Sequence, residues 1–272
     1  MVGTVMDDAP GSPPAARPTT LPDSLQPRAK VVAEPKKTTF HKQGFVIVED
    51  VVDPATCDHL LMTINKNCDW LKANKAGNMR NRERTRYSLN WREWKFTTSW
   101  QYMLLEVLEG KVRSYLDAIT GDDDSICVDR LGGDCVERGC TAPQNWHSDW
   151  SDLKIGGSGG HEVALGISIA VAEVTEAMGP IVIMPADREQ VEANAVACCM
   201  SKGSVLIRNI RVRHRGGANV SAVDRVLPGF TLLTRATLLM HHTPMQAMDF
   251  ELRPTQKTRI PVWLRDYVMQ SD

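Results

Sequence analysis

From residue 125 onward the apolar residues of this chain recur at every second position, in short runs separated by glycine-rich turns. That period constrains the fold more than any other feature, because it belongs to half-buried strands and not to helices. Strands are expected near 142–150, 162–172, 180–184, 204–214 and 225–240. In the second of these, Val163, Leu165, Ile167, Ile169 and Val171 share one face. Ala164, Gly166, Ser168 and Ala170 share the other, which suits either a cavity wall or a tightly packed sheet.

The earlier part reads differently. GFVIVEDVV (44–52) is a β-branched strand, and Asp53-Pro54 then offers an N-cap with proline at the first helical position. Cys57, Leu60, Leu61, Ile64, Cys68 and Leu71 follow at helical spacing and predict a helix over 54–72. A second helix is expected over about 98–119, burying residues from Trp100 to Ile119. Residues 1–36, rich in Pro, Ala, Thr and Asp with no apolar period, predict a disordered lead-in, leaving 37–272 as one domain. Helices followed by many short strands predict a mainly β fold, with the N-terminal helices packed on the outside of a β-sandwich or jelly roll.

Charge and cysteine usage narrow the partners. A formal net charge of −1 gives no support to nucleic-acid binding. No apolar run approaches a membrane span, and no secretory, mitochondrial or peroxisomal signal is legible, so a cytoplasmic location is expected. The seven cysteines form no regular framework and read as reduced thiols. Cys135 and Cys140 precede His147, but the spacing matches no closed zinc site.

The chemistry concentrates at QNWHSDW (144–150). On a strand, His147 and Asp149 point to the same side, so an imidazole and a carboxylate converge. With one more distant histidine this is the sequence form of a 2-His-1-carboxylate facial triad, whose open positions admit a chelating co-substrate and O2. The third ligand has to be His161, His214, His241 or His242. His214 shares strand parity with Leu206, Ile210 and Val212, although Arg208 interrupts that inward face. The turn RGGAN follows, and Arg225 lies eleven residues beyond, where its planar fork could hold a carboxylate. His242 with Arg253 repeats the spacing but lacks the strand and the glycine turn, which favours His214.

On these residues the chain resembles the phytanoyl-CoA dioxygenase (PhyH-like) family of Fe(II)/2-oxoglutarate-dependent oxygenases. The resemblance covers roughly 40–235 and rests on GFVIVEDVVDPATCDHL, on His147-Ser148-Asp149, on MGPIVIMPADRE (178–189) and on KGSVLIRNIRVRHRGGANVSAVDR (202–225). Met184-Pro185-Ala186-Asp187 departs from the family's Gly-Ser-His, and Gly203-Ser204 from its Gly-Asp, neither at a metal-ligand position. The resemblance implies a double-stranded β-helix (jelly roll or cupin-like) with N-terminal helices packed on its outside, Fe(II) on His147, Asp149 and His214, and Arg225 clamping the distal carboxylate of 2-oxoglutarate. Asn219, at the family's asparagine position, and Gln144 are further candidates on the co-substrate side. Asp149 argues for oxygenation, since related halogenases put a small residue there.

The expected reaction is hydroxylation of a small molecule using O2 and 2-oxoglutarate, with release of succinate and CO2. Desaturation, cyclisation or demethylation are alternative outcomes of the same cofactors; a non-catalytic cupin-like binding module and a zinc-dependent hydrolase are alternatives of other classes. Arg225 separates them, because a hydrolase has no use for a dicarboxylate clamp. For the substrate, Arg80, Arg82, Arg84 and Arg86 alternate and would share one face of an extended segment. Four such charges could meet a carboxylate, phosphonate or acyl-CoA, with Lys154 and Trp150 beside the metal ligands as additions. The bland alternative is a solvated loop. GGSGG (156–160) reads as a mobile loop over the barrel mouth.

Overall fold

The computed structural model describes residues 34–74, 85–89, 107–108, 110–120, 126–149, 163–234 and 237. Residues 98–106 of the second expected helix, the expected loop 156–160 and the part of the last expected strand beyond 234, Thr237 apart, fall outside the described residues.

Helix formation at the start follows from capping. A first helix, α1 (Glu34–Gln43), begins ahead of the expected onset of order, and Gly44, at φ 83°, turns the chain into β1 (Phe45–Val48). The Asp53 carboxylate accepts the backbone N–H groups of Ala55 at 2.9 Å and Thr56 at 3.0 Å, satisfying two donors that the first turn leaves without partners. From there α2 (Pro54–Asn74) runs, with Cys57, Leu60, Ile64, Cys68 and Leu71 buried along one stripe. The second expected helix is not continuous: a bend and turn at 110–112 interrupt it, and α3 (Arg113–Thr120) is a separate short helix.

Nine strands build two antiparallel sheets among the described residues. The larger has the order β1-β7-β4-β9-β3-β2, with β2 (Arg86–Ser88), β3 (Ile126–Val136), β4 (Ala164–Ile169), β7 (Val205–Asn209) and β9 (Arg225–Thr234). The smaller has the order β6-β5-β8, with β5 (Ile181–Ile183), β6 (Val196–Ala197) and β8 (His214–Gly216). This is the expected mainly β, jelly-roll-type architecture with few helices.

Two strand expectations need correction. β3 was not foreseen, although it pairs with β9 from Ile126↔Thr234 to Val136↔Arg225. Its sequence, ICVDRLGGDCV, has two central glycines and two aspartates in place of a clean alternation. Gly133 is required there, since a Cβ would lie 2.1 Å from the Leu227 carbonyl oxygen. The run 204–214 is two strands in different sheets, joined by a turn in which the Val212 N–H bonds to the Asn209 carbonyl at 3.0 Å. Parity therefore does not run from Leu206 through to His214.

The two faces of the large sheet have different partners. Leu165, Ile167, Ile169, Val205, Ile207 and Phe230 pack with Leu60, Ile64 and Cys68 of α2 in one core. Each fully buried aliphatic side chain contributes roughly 1.5–3 kcal/mol, so the helix-covered side anchors the sheet. The opposite face meets the small sheet through Phe45, Ala170, Leu206 and Leu227 against Ile183 and Cys198. The small-residue face of β4 is thus an inner wall between the sheets. Among the described residues, no helix is long and apolar enough to cross a membrane.

Candidate active site

Three ligand-type side chains meet where the chain is strapped to itself. Residues 145–149 are not the expected strand; His147 makes an isolated bridge to His214 of β8, with N–H to carbonyl bonds of 3.0 Å and 2.8 Å in the two directions. The Asp149 N–H donates to the Ile210 carbonyl at 3.1 Å, and the Ser148 hydroxyl to that of Arg211 at 2.9 Å. The segment between the two sheets is so fixed at both ends, and the strap, not strand alternation, makes His147 and Asp149 converge.

One ligand atom from each of His147, Asp149 and His214 lies within 4.8 Å of the others. Asp149 Oδ1 is 3.7 Å from His147 Nε2 and 3.6 Å from His214 Nε2. Both imidazoles are oriented from behind. His147 Nδ1 lies 2.8 Å from the Asn145 carbonyl and His214 Nδ1 lies 2.9 Å from the Val212 carbonyl. A carbonyl can only accept, so each Nδ1 carries the proton and each Nε2 presents its lone pair toward Asp149 Oδ1. That is the donor set a divalent metal needs.

Electrostatics keeps the set in ligating form. Burial opposes the charge on Asp149, but the Arg208 guanidinium, aided by the nearby imidazoles, outweighs it and holds the carboxyl below the usual range. Arg208 Nη2 donates to Asp149 Oδ2 at 2.5 Å. His214, only 6% exposed at its side chain, is pushed down to about 4 by burial and by the Arg208 charge, against the opposing pull of Asp149. At neutral pH it is an uncharged imidazole.

Arg225 is fully buried on β9 and donates to Asp134 Oδ2 and to the Gly179 carbonyl. Asp134 is 3.8 Å from a second buried guanidinium, that of Arg86 on β2. Arg86 also donates to the carbonyls of Gly217 and, at 3.3 Å, Gly216. Burial, partly offset by Asp134, lowers its pKa. The glycines of the RGGAN turn permit this approach: a Cβ on Gly216 would lie 2.6 Å from Arg86 Nη1, and one on Gly217 would lie 2.8 Å from Gly179 Cα. Arg225 Nε is buried without a hydrogen-bond partner among the described residues. An orphaned guanidinium donor fits a site that an anionic ligand completes.

Other sequence candidates have different duties. Gln144 accepts the Gly216 N–H at 2.8 Å through its side-chain oxygen, holding β8. Asn219 is fully buried and donates to the carbonyls of Val136 at 3.1 Å and Val223 at 2.9 Å. Its oxygen accepts from Ser221, so the side chain shapes the 219–223 turn and has no group left for a co-substrate. Trp146 lies under the Arg215 guanidinium at 4.4 Å, on the rim. Arg86, read as part of an exposed basic face, is turned into the protein instead. Arg82, Arg84, Trp150 and Lys154 lie outside the described residues, as do His161, His241, His242 and Arg253. Sequence reasoning missed Asp134, which sits on the unforeseen β3. It saw Arg208 only as an interruption of an apolar face, which was the available signal.

The profile of the phytanoyl-CoA dioxygenase (PhyH) family matches residues 40–227. No curated protein is similar enough in sequence to count as a relative. Solved structures share the fold at low identity. EctD from S. alaskensis with 2-oxoglutarate and 5-hydroxyectoine aligns at a TM-score of 0.56 and 15% identity, over 77% of this chain and 78% of that one. The epimerase SnoN in complex with Fe3+, alpha ketoglutarate and nogalamycin RO aligns at 0.56 and 14%, over 78% and 90%. AviO1 from Streptomyces viridochromogenes Tue57 aligns at 0.56 and 16%, over 77% and 98%.

Proposed function

This chain belongs to the phytanoyl-CoA dioxygenase family, and from that premise we propose that it hydroxylates a C–H bond of a small, anionic molecule. It is a 2-oxoglutarate-dependent oxygenase whose cofactors are iron and 2-oxoglutarate. Bound together, these cofactors and O2 supply the oxidising power, with succinate and CO2 released. The observation that carries the assignment to residues is the convergence of His147 Nε2, Asp149 Oδ1 and His214 Nε2, each turned to one point by a contact behind it.

The chain's own part is to hold and position. His147 and His214 would ligate through Nε2, because the Asn145 and Val212 carbonyls behind them engage Nδ1. Asp149 would ligate through Oδ1, since Arg208 occupies Oδ2. Arg225, with its unpartnered Nε, receives the distal carboxylate of 2-oxoglutarate, a charge-assisted contact in a water-poor setting. A zinc hydrolase gives no reason for that buried guanidinium. Outcomes other than hydroxylation stay within reach of the same site, since solved structures of this fold include an epimerase and a carbocyclase.

The test needs no substrate. Fe(II) and then 2-oxoglutarate are added to the metal-free protein without oxygen, and the visible metal-to-ligand charge-transfer band is followed. We expect a band that His147→Ala and His214→Ala both lose. Iron bound with no band would remove the dioxygenase reading and favour zinc-type hydrolysis.

A further inference from the structure

The inner wall of the large sheet carries a third arginine. Arg208 stands on β7 in register with Phe45 of β1 and Gly166 of β4. Gly166 in turn faces Thr231 of β9, and the next inward row holds Leu206, Ser168 and Gly229. The β4 residues beside the guanidinium, Gly166 and Ser168, are therefore small. A Cβ on Gly166 would come 3.0 Å from Arg208 Cζ, so the absent side chain is what lets the planar group lie along the sheet.

One of its three nitrogens is used. Nη2 holds Asp149 Oδ2, while Nε and Nη1 are buried and have no hydrogen-bond partner among the described residues. The side chain is 12% exposed, so water does not compensate freely. An ion pair that served only to hold Asp149 would need one donor, which a lysine could supply. Two further guanidinium donors with no partner among the described residues next to the triad call for a group that binds them.

We propose that Arg208 determines substrate specificity by binding a carboxylate, or a comparable oxyanion, of the prime substrate through Nε and Nη1. It thereby seats the anion directly beside the metal triad. This rests on the oxygenase reading above, and it replaces the arginines at 80–84 with a residue inside the barrel as the anion's partner. The Nη2–Asp149 bond ties the anion site to the metal ligand, so the substrate's charged end and the reacting centre are held at a fixed separation.

The test uses the anaerobic Fe(II)–2-oxoglutarate complex and its charge-transfer band. Straight-chain and arylalkyl carboxylates of increasing length, and the primary amides of the same chains, are titrated against it. We expect at least one carboxylate to perturb the band, with its amide at least about tenfold weaker. Arg208→Lys, which keeps a cation for Asp149, should lose about tenfold of the carboxylate affinity and none of the amide affinity, read by calorimetry with Fe(II) and 2-oxoglutarate present. Carboxylates no tighter than amides would overturn the proposal on the wild-type protein alone, whatever the variant does. So would an Arg208→Lys protein with unchanged carboxylate affinity. Weakened 2-oxoglutarate binding in that variant would assign the donors to the co-substrate and overturn it as well. A wild-type protein with no band would fail the oxygenase reading itself, which is a distinct result.

Discussion

A histidine that is already neutral ligates a metal without first losing a proton, and the surroundings of His214 keep it so. Its folded-state pKa is about 4, against 6.5 for the free group. Between those values the unfolded chain binds more protons than the folded one, so stability falls as pH falls through that window and is unaffected above it. For the metal-free protein we expect this group to cost about 2 kcal/mol on going from about pH 7 to about pH 5. Thermal melts at the two pH values would show it, and His214→Gln should flatten the difference. An unchanged slope in that variant would mean His214 titrates normally.

Arg225 and Asp134 give a second residue-scale expectation. Asp134→Asn removes the carboxylate that Arg225 and Arg86 both contact. Breaking such a buried pair should destabilise the protein by about 3–5 kcal/mol. 2-Oxoglutarate should restore part of that loss, so its stabilising effect should be larger in Asp134→Asn than in the wild type. Arg225→Ala should raise the 2-oxoglutarate concentration needed for the charge-transfer band by about a hundredfold while iron still binds. Equal requirements in wild type and variant would place the clamp elsewhere.

At the scale of elements, legibility tracked how local the causes were. The α2 cap and stripe could be read directly, because Asp53, Pro54 and the apolar spacing act within a few residues of one another. Asp53→Ala should accordingly cost about 1 kcal/mol in a denaturant titration, with little change at the active site. β3 escaped notice because its glycines answer to β9 across the sheet and not to its own neighbours. The turn after His214 was seen as glycine-rich, but its reason lies in Arg86, whose guanidinium occupies the space a Gly216 side chain would need. Gly216→Ala should therefore weaken 2-oxoglutarate binding through Arg86 and Arg225, a shift the same titration band would reveal.

For the whole molecule, the site bridges the two sheets: Arg208 rises from the large one, His214 from the small one, and His147 and Asp149 from the strap between them. Iron with 2-oxoglutarate should therefore act as a staple. At ligand concentrations about a hundredfold above Kd the linkage is worth about 2.7 kcal/mol, or a rise of about 5–10 °C in Tm, by calorimetry without oxygen.

The sequence by itself determined the fold class, the start of α2 and the His-x-Asp, distal-histidine and arginine pattern. Those follow from periodicity and spacing, which are properties of the chain alone. Only the tertiary structure decided that His214, among several histidines, stands against His147, and that Arg225 shares Asp134 with Arg86. It alone turned Arg208 from a flaw in an apolar strand into an anion-seeking group beside the triad. Such pairings depend on contacts between residues tens of positions apart, where the inward or outward facing of a side chain is set by neighbouring strands and not by its own segment.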